Sequence, residues 1–92
     1  DNLCDLVVDT GKALKRVQVK AKKALRGTCL EIKLSKYVKS NIDVIAVWYE
    51  PKNIIAYVPY KGEEFLLLAV ETAKNNQERG RNWFYRYMEF PL

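Results

Sequence analysis

Ninety-two residues, 49% hydrophobic and 29% charged, give room for one small domain over residues 1–92 with a modest core. No apolar run approaches the length of a membrane span, so no membrane partner is expected. The net charge is +5 and His is absent, which excludes a Cys–His or Ser–His nucleophile and leaves Cys4 and Cys29 without the His that would complete a zinc site.

In chain order, residues 3–9 are short, apolar and rich in valine, with Asp5 among them, and predict a strand. "DTGK" at 9–12 predicts a turn, and Asp9 belongs to it, its side chain bonding locally. Residues 14–20 alternate, with Leu14, Arg16, Gln18 and Lys20 on one side and Lys15, Val17 and Val19 on the other, so the first two strands form a hairpin. "LRGT" at 25–28 turns the chain into a third strand at 29–34, with Leu30, Ile32 and Leu34 on one face. A disulfide between Cys4 and Cys29 is conceivable; two ordinary buried thiols are the commoner outcome.

"SKYVKSN" at 35–41 is a polar connection. The near-continuous apolar run "DVIAVWY" at 43–49 predicts a central strand buried on both faces. "EPKN" turns tightly, residues 54–58 return as the next strand, and Pro59 closes the sheet edge. Over 62–75, Phe65, Leu66, Leu68, Ala69 and Ala73 fall at helical spacing behind Glu63 and Glu64, which suit a first turn. The aromatic-rich 83–90 is a last strand or a tail covering the core or an oligomer interface. The expected class is α+β: a mixed or mainly antiparallel five-stranded sheet with one main helix.

The excess of positive charge is confined to one third of the chain. Residues 12–39 carry ten bases and one acid, Glu31, while 1–11 carry three acids and 40–92 are nearly balanced. Such clustering fits a polyanion, DNA being the natural partner; a merely solvated basic face is the bland alternative. Within this stretch, Gln18 and Lys20 stand two apart and share a strand face. With Asp5 on the preceding strand they can converge at one end of the sheet. A carboxylate, a second oxygen ligand and a lysine suit metal-assisted phosphodiester hydrolysis. The carboxylate holds Mg²⁺ or Mn²⁺, the ion activates water, and the lysine steadies developing negative charge. The Val19 carbonyl can add an oxygen. The competing reading puts Gln18 and Lys20 on a solvated hairpin face.

"CDLVVDTGKALKRVQVK" resembles the core of the PD-(D/E)XK nuclease superfamily: Asp5 matches its first Asp, and Gln18-Val19-Lys20 its (Asp/Glu)-x-Lys, with Gln in place of the acid. It is most similar to the small homing-endonuclease-like branch of archaeal and bacterial proteins, where that Gln is usual. "DVIAVWYEPKNIIAYVPY" resembles the family's next hairpin, so the resemblance covers roughly residues 3–60. It implies a restriction-endonuclease-like core and a metal-dependent DNA endonuclease with Asp5, Gln18 and Lys20 catalytic. Asp5, Gln18 and Val19 would lie at the metal, and Lys22, Lys23, Arg26, Lys36 and Lys39 on the DNA backbone.

Two departures accompany the match. The family's Pro is replaced by the pair Leu3-Cys4, and its N-terminal helix with a catalytic Glu has no counterpart before Asp5. That Glu is expected from a preceding segment, from a partner chain, or not at all. A catalytically inactive DNA-binding or assembly module is therefore the alternative, and a basic structural protein a third. Trp48, Tyr49, Tyr57 and Tyr60 are expected to pack in the core rather than stack on bases. A cytoplasmic setting and a homo-oligomer complete the expectations.

Overall fold

A computed structural model describes residues 6–37, 41–71 and 82–91. Strand β1 (Leu6–Asp9) turns back into β2 (Leu14–Lys22), pairing antiparallel from Leu6–Val17 to Asp9–Leu14. The turn closes as its residues dictate. Asp9 Oδ1 accepts the Gly11 N–H at 2.9 Å, the Thr10 hydroxyl caps Ala13, and Gly11 takes φ +85, a left-handed value that side chains disfavour.

The chain then crosses over. β3 (Cys29–Lys33) and a single 3₁₀ turn (Ser35–Tyr37) lie in the connection before β4 (Val44–Tyr49), which returns parallel to β2 with Val17 opposite Val44 and Lys22 opposite Tyr49. A parallel return needs a long crossover, a task usually given to a helix. Here the crossover carries a strand. A 3₁₀ turn with Pro51 in it, closed by Asn53 in the left-handed region, leads into β5 (Ile54–Pro59), antiparallel to β4. The first sheet is ordered β1-β2-β4-β5.

The expected helix over 62–75 is overturned, and with it the single five-stranded sheet and the α+β, restriction-endonuclease-like core. Phe65–Ala69 is a strand, β6, paired antiparallel with β3 in a second, two-stranded sheet, and the only helical elements among the described residues are 3₁₀ turns. Burial explains the outcome. Leu66 and Leu68 are buried while Phe65 and Leu67 are exposed, a period of two. The ladder is prolonged at both ends, where Leu34 N–H donates to Glu64 O at 2.8 Å and Val70 N–H to Thr28 O at 2.9 Å. Residues 72–75 lie outside the described residues.

The two sheets share one core. Ile45, Val47, Ala56 and Val58 of the first face Leu30, Ile32, Leu66 and Leu68 of the second, and Tyr37 and Phe84 fill in between. Phe84 opens a 3₁₀ turn, Phe84–Tyr87, so 83–90 forms no strand. Trp83 forms an isolated bridge with Ala69. The outer face of the first sheet carries a smaller cluster, Val17, Val44 and Ala46, against which Tyr57 and Phe90 meet edge to face at 5.5 Å. Trp48, Tyr57 and Tyr60 are half-buried and Tyr49 is buried.

Asp43 fastens the parallel pair at its start. Its Oδ2 accepts the Arg16 N–H at 2.8 Å, its own N–H donates to Arg16 O at 2.9 Å, and its carbonyl accepts from Tyr60 N–H at 2.9 Å. Asp43→Ala is expected to cost about 1–2 kcal/mol in urea unfolding, with Asp43→Asn recovering most of it. Wild-type stability in the alanine variant would show that the carboxylate does not fasten the strands.

A basic cavity as candidate nucleic-acid interface

Burial along β2 peaks at the adjacent pair Val17 and Gln18, which face opposite sides of the sheet. Val17 faces the outer cluster. Gln18, Lys20 and Lys22 share the opposite face, in register with Ile45, Val47 and Tyr49 of β4. Gln18 is 9% exposed and is the single buried polar side chain among the described residues. Lys20 and Lys22 are half-buried, at the end of the strand where the apolar core gives way.

There, between the end of β2 and the edge of β3, opens a cavity of about 490 Å³, lined by Lys20, Lys22, Ala24, Leu25, Arg26, Glu31, Ile32 and Lys33. Its charged lining is four cations and one acid. That acid is engaged. Arg26 Nη1 donates to Glu31 Oε2 at 3.1 Å, with the Arg26 side chain 81% exposed. An exposed pair of this kind is worth less than about 1 kcal/mol.

Among the expected site residues, the structure brings Lys20, Lys22 and Arg26 together at the cavity, while Gln18 shares the strand face of the two lysines but not the cavity lining. Lys23 is exposed just beyond β2 and outside the cavity lining, and Lys36 is exposed on the 3₁₀ turn beside Tyr37. Val19 lies on the outer face of the sheet, and its backbone sits within the β2–β4 ladder. Asp5 and Lys39, and Cys4, lie outside the described residues. Cys29 is half-buried, its sulfur 3.8 Å from Thr28 Oγ1.

The described residues do not fit a resident Mg²⁺ or Mn²⁺. No group of three or more acidic or other metal-ligating side chains gathers among them. Glu31, the one carboxylate at the cavity, is ion-paired, and Asp9 is spent in its turn.

Two members of the region were not legible in the sequence. Lys33 enters the cavity lining from β3. Tyr37, set in a stretch that reads as polar connection, is 2% exposed. Its ring lies under Lys20 Nζ at 4.6 Å and Lys36 Nζ at 5.2 Å from the centroid. The available signal was the apolar Leu34 three residues before it, which continues the buried face of β3 into the turn.

Elsewhere, the Tyr60 hydroxyl donates to Glu63 O at 2.9 Å and is raised above its ordinary 10.0, first by burial and then by the negative charges of Glu63 and Glu64. It is a structural donor between β5 and β6, remote in role from the basic cavity. On the outer face, Leu6, Val8, Val17, Val19, Ala46, Trp48, Ile55, Tyr57 and Phe90 line an apolar groove of about 310 Å³. No helix among the described residues is long and apolar enough to cross a membrane.

Compared with known proteins, the chain matches no family model, no curated protein and no solved structure.

Proposed function

We propose that the domain binds the phosphate backbone of DNA through the basic cavity between β2 and β3. The observation that carries this reading is the lining: Lys20, Lys22, Arg26 and Lys33 around one open space, with a single acid that is already paired. Ammonium and guanidinium groups so placed neutralise phosphates and release condensed counterions, which gives affinity without reading sequence. The same reading places the domain with DNA in the cytoplasm. Tyr85 and Met88 stay exposed at the C-terminal segment, and a homo-oligomer through that segment belongs to the same proposal.

Fluorescence anisotropy with a labelled duplex across a salt series is the test. Up to four phosphate contacts give a slope of log K against log salt of about −3.6 at most, and an affinity loss of about 10²-fold between ~50 and ~200 mM salt. Absence of binding, or binding indifferent to salt, would overturn the reading.

Phosphodiester hydrolysis is a second reading, favoured by Gln18 and Lys20 sharing a half-closed face and by the resemblance of "QVK" to the nuclease motif. It requires carboxylates beyond those that the described residues bring to the cavity. Nicking of supercoiled DNA with Mg²⁺ or Mn²⁺, lost in both Asp5→Ala and Lys20→Ala, would support it. Intact binding with no nicking would leave the domain a DNA-binding module.

A further inference from the structure

Tyr37 gathers two cations from separate parts of the chain. Lys20 comes from the last part of β2 and Lys36 from the 3₁₀ turn after β3, yet their ammonium nitrogens stand 4.6 and 5.2 Å from the centre of one ring. They are therefore within about 10 Å of each other. Attraction to the ring's negative face explains why each is there. It does not remove the repulsion between them.

Proteins commonly answer such a pair with a carboxylate. Neither lysine is ion-paired with an acid among the described residues, where the one ion pair is Arg26–Glu31. Tyr37 itself is held firmly. It is 2% exposed, its N–H donates to Leu34 O at 2.9 Å, and its ring belongs to the main core. A rigid ring that fixes the stems of two long side chains lowers the entropy lost when they grip a ligand. Two ammonium groups so gathered, with no carboxylate paired to either among the described residues, suit an oxyanion that both can reach.

We propose that Lys20, Tyr37 and Lys36 form a phosphate seat, in which Tyr37 positions the two lysines on the backbone of a bound nucleic-acid strand. The seat rests on the DNA-binding reading and extends it past the cavity, since Lys20 lines the cavity and Lys36 does not. Lys22 and Lys33 line the same cavity as Lys20, so a strand held there lies beside the Lys20–Lys36 pair.

The test is the same labelled duplex and salt series applied to Lys36→Gln, Tyr37→Phe, Tyr37→Leu and the double variant Lys36→Gln/Tyr37→Leu. Lys36→Gln is expected to weaken binding and to lower the salt slope by about 0.9, the loss of one phosphate contact. Tyr37→Phe keeps the ring and binds as the wild type does. Tyr37→Leu keeps both charges yet weakens binding, and adding Lys36→Gln to it costs little more, because the lysine is no longer positioned. Lys36 is exposed, so its variant reads the seat without disturbing the core whether or not Tyr37→Leu folds. Wild-type affinity and slope in Lys36→Gln, with DNA bound by the parent chain, would overturn the seat alone. Failure of the parent chain to bind would overturn both the seat and the reading beneath it.

Discussion

Phe84→Ala is expected to lower stability by about 3–5 kcal/mol, the usual cost of emptying a fully enclosed aromatic site. Phe84 has no exposed surface and closes the space between the two sheets, beside Leu30, Leu68 and Tyr37. Its neighbour Tyr85 meets it edge to face at 5.9 Å but is itself exposed, so it cannot fill the hole. A domain of this size has only about 5–15 kcal/mol in total, and small ones sit toward the lower end. The variant should therefore melt well over 10 °C below the parent, roughly 4–8 °C being lost per kcal/mol in a domain of this length. Thermal and urea unfolding followed by circular dichroism read the change. A midpoint equal to the parent's would mean that the C-terminal 3₁₀ turn is not part of the cooperative core.

The second large effect is on binding. Lys22→Glu together with Lys33→Glu reverses two of the four cations around the cavity, one on each of the strands that border it. Each lost phosphate contact costs about 0.9 decade in affinity at ~0.1 M salt relative to 1 M, so two cost roughly 60-fold. The new carboxylates repel the backbone and carry the loss past about 100-fold. Both side chains reach solvent, so stability should change by no more than about 0.5 kcal/mol each. Equal folding with equal DNA affinity would remove the cavity from the interface. A uniform fall across unrelated DNA sequences is expected, because backbone contacts carry no base readout.

Much of the first sheet could be read from pattern alone. The alternation of 14–20 and the apolar run of 43–49 each specify a strand whose partners are fixed by burial, and "DTGK" and "EPKN" contain the residues that their turns demand. The second sheet could not. Phe65–Ala69 lies in a run of six apolar residues, 65–70, between Glu64 and Glu71. Runs that short fit a helix face and a strand equally until a partner is known. Its partner, β3, lies more than thirty residues earlier, and that pairing decides the matter. The site divides in the same way. Gln18 and Lys20 are visible as neighbours on a strand face. Lys33 joins Lys20 only through the packing of β3 near the end of β2, and the Tyr37 ring only because the crossover folds back to Lys20.

The parallel pairing of β2 with β4 also bears on how the chain reaches this state. The β1–β2 hairpin and the β4–β5 hairpin close over short turns and can form within microseconds. Joining them into one sheet requires residues 23–43 to be looped out first, while β3 still awaits β6 from later in the chain. Both central contacts are distant in sequence, so loop closure must be met before either is rewarded. Such wiring places folding in the millisecond-to-second range. Until then the inner edges of β2 and β4 stand unpaired, which makes the half-assembled sheet, rather than the finished one, the species most exposed to aggregation.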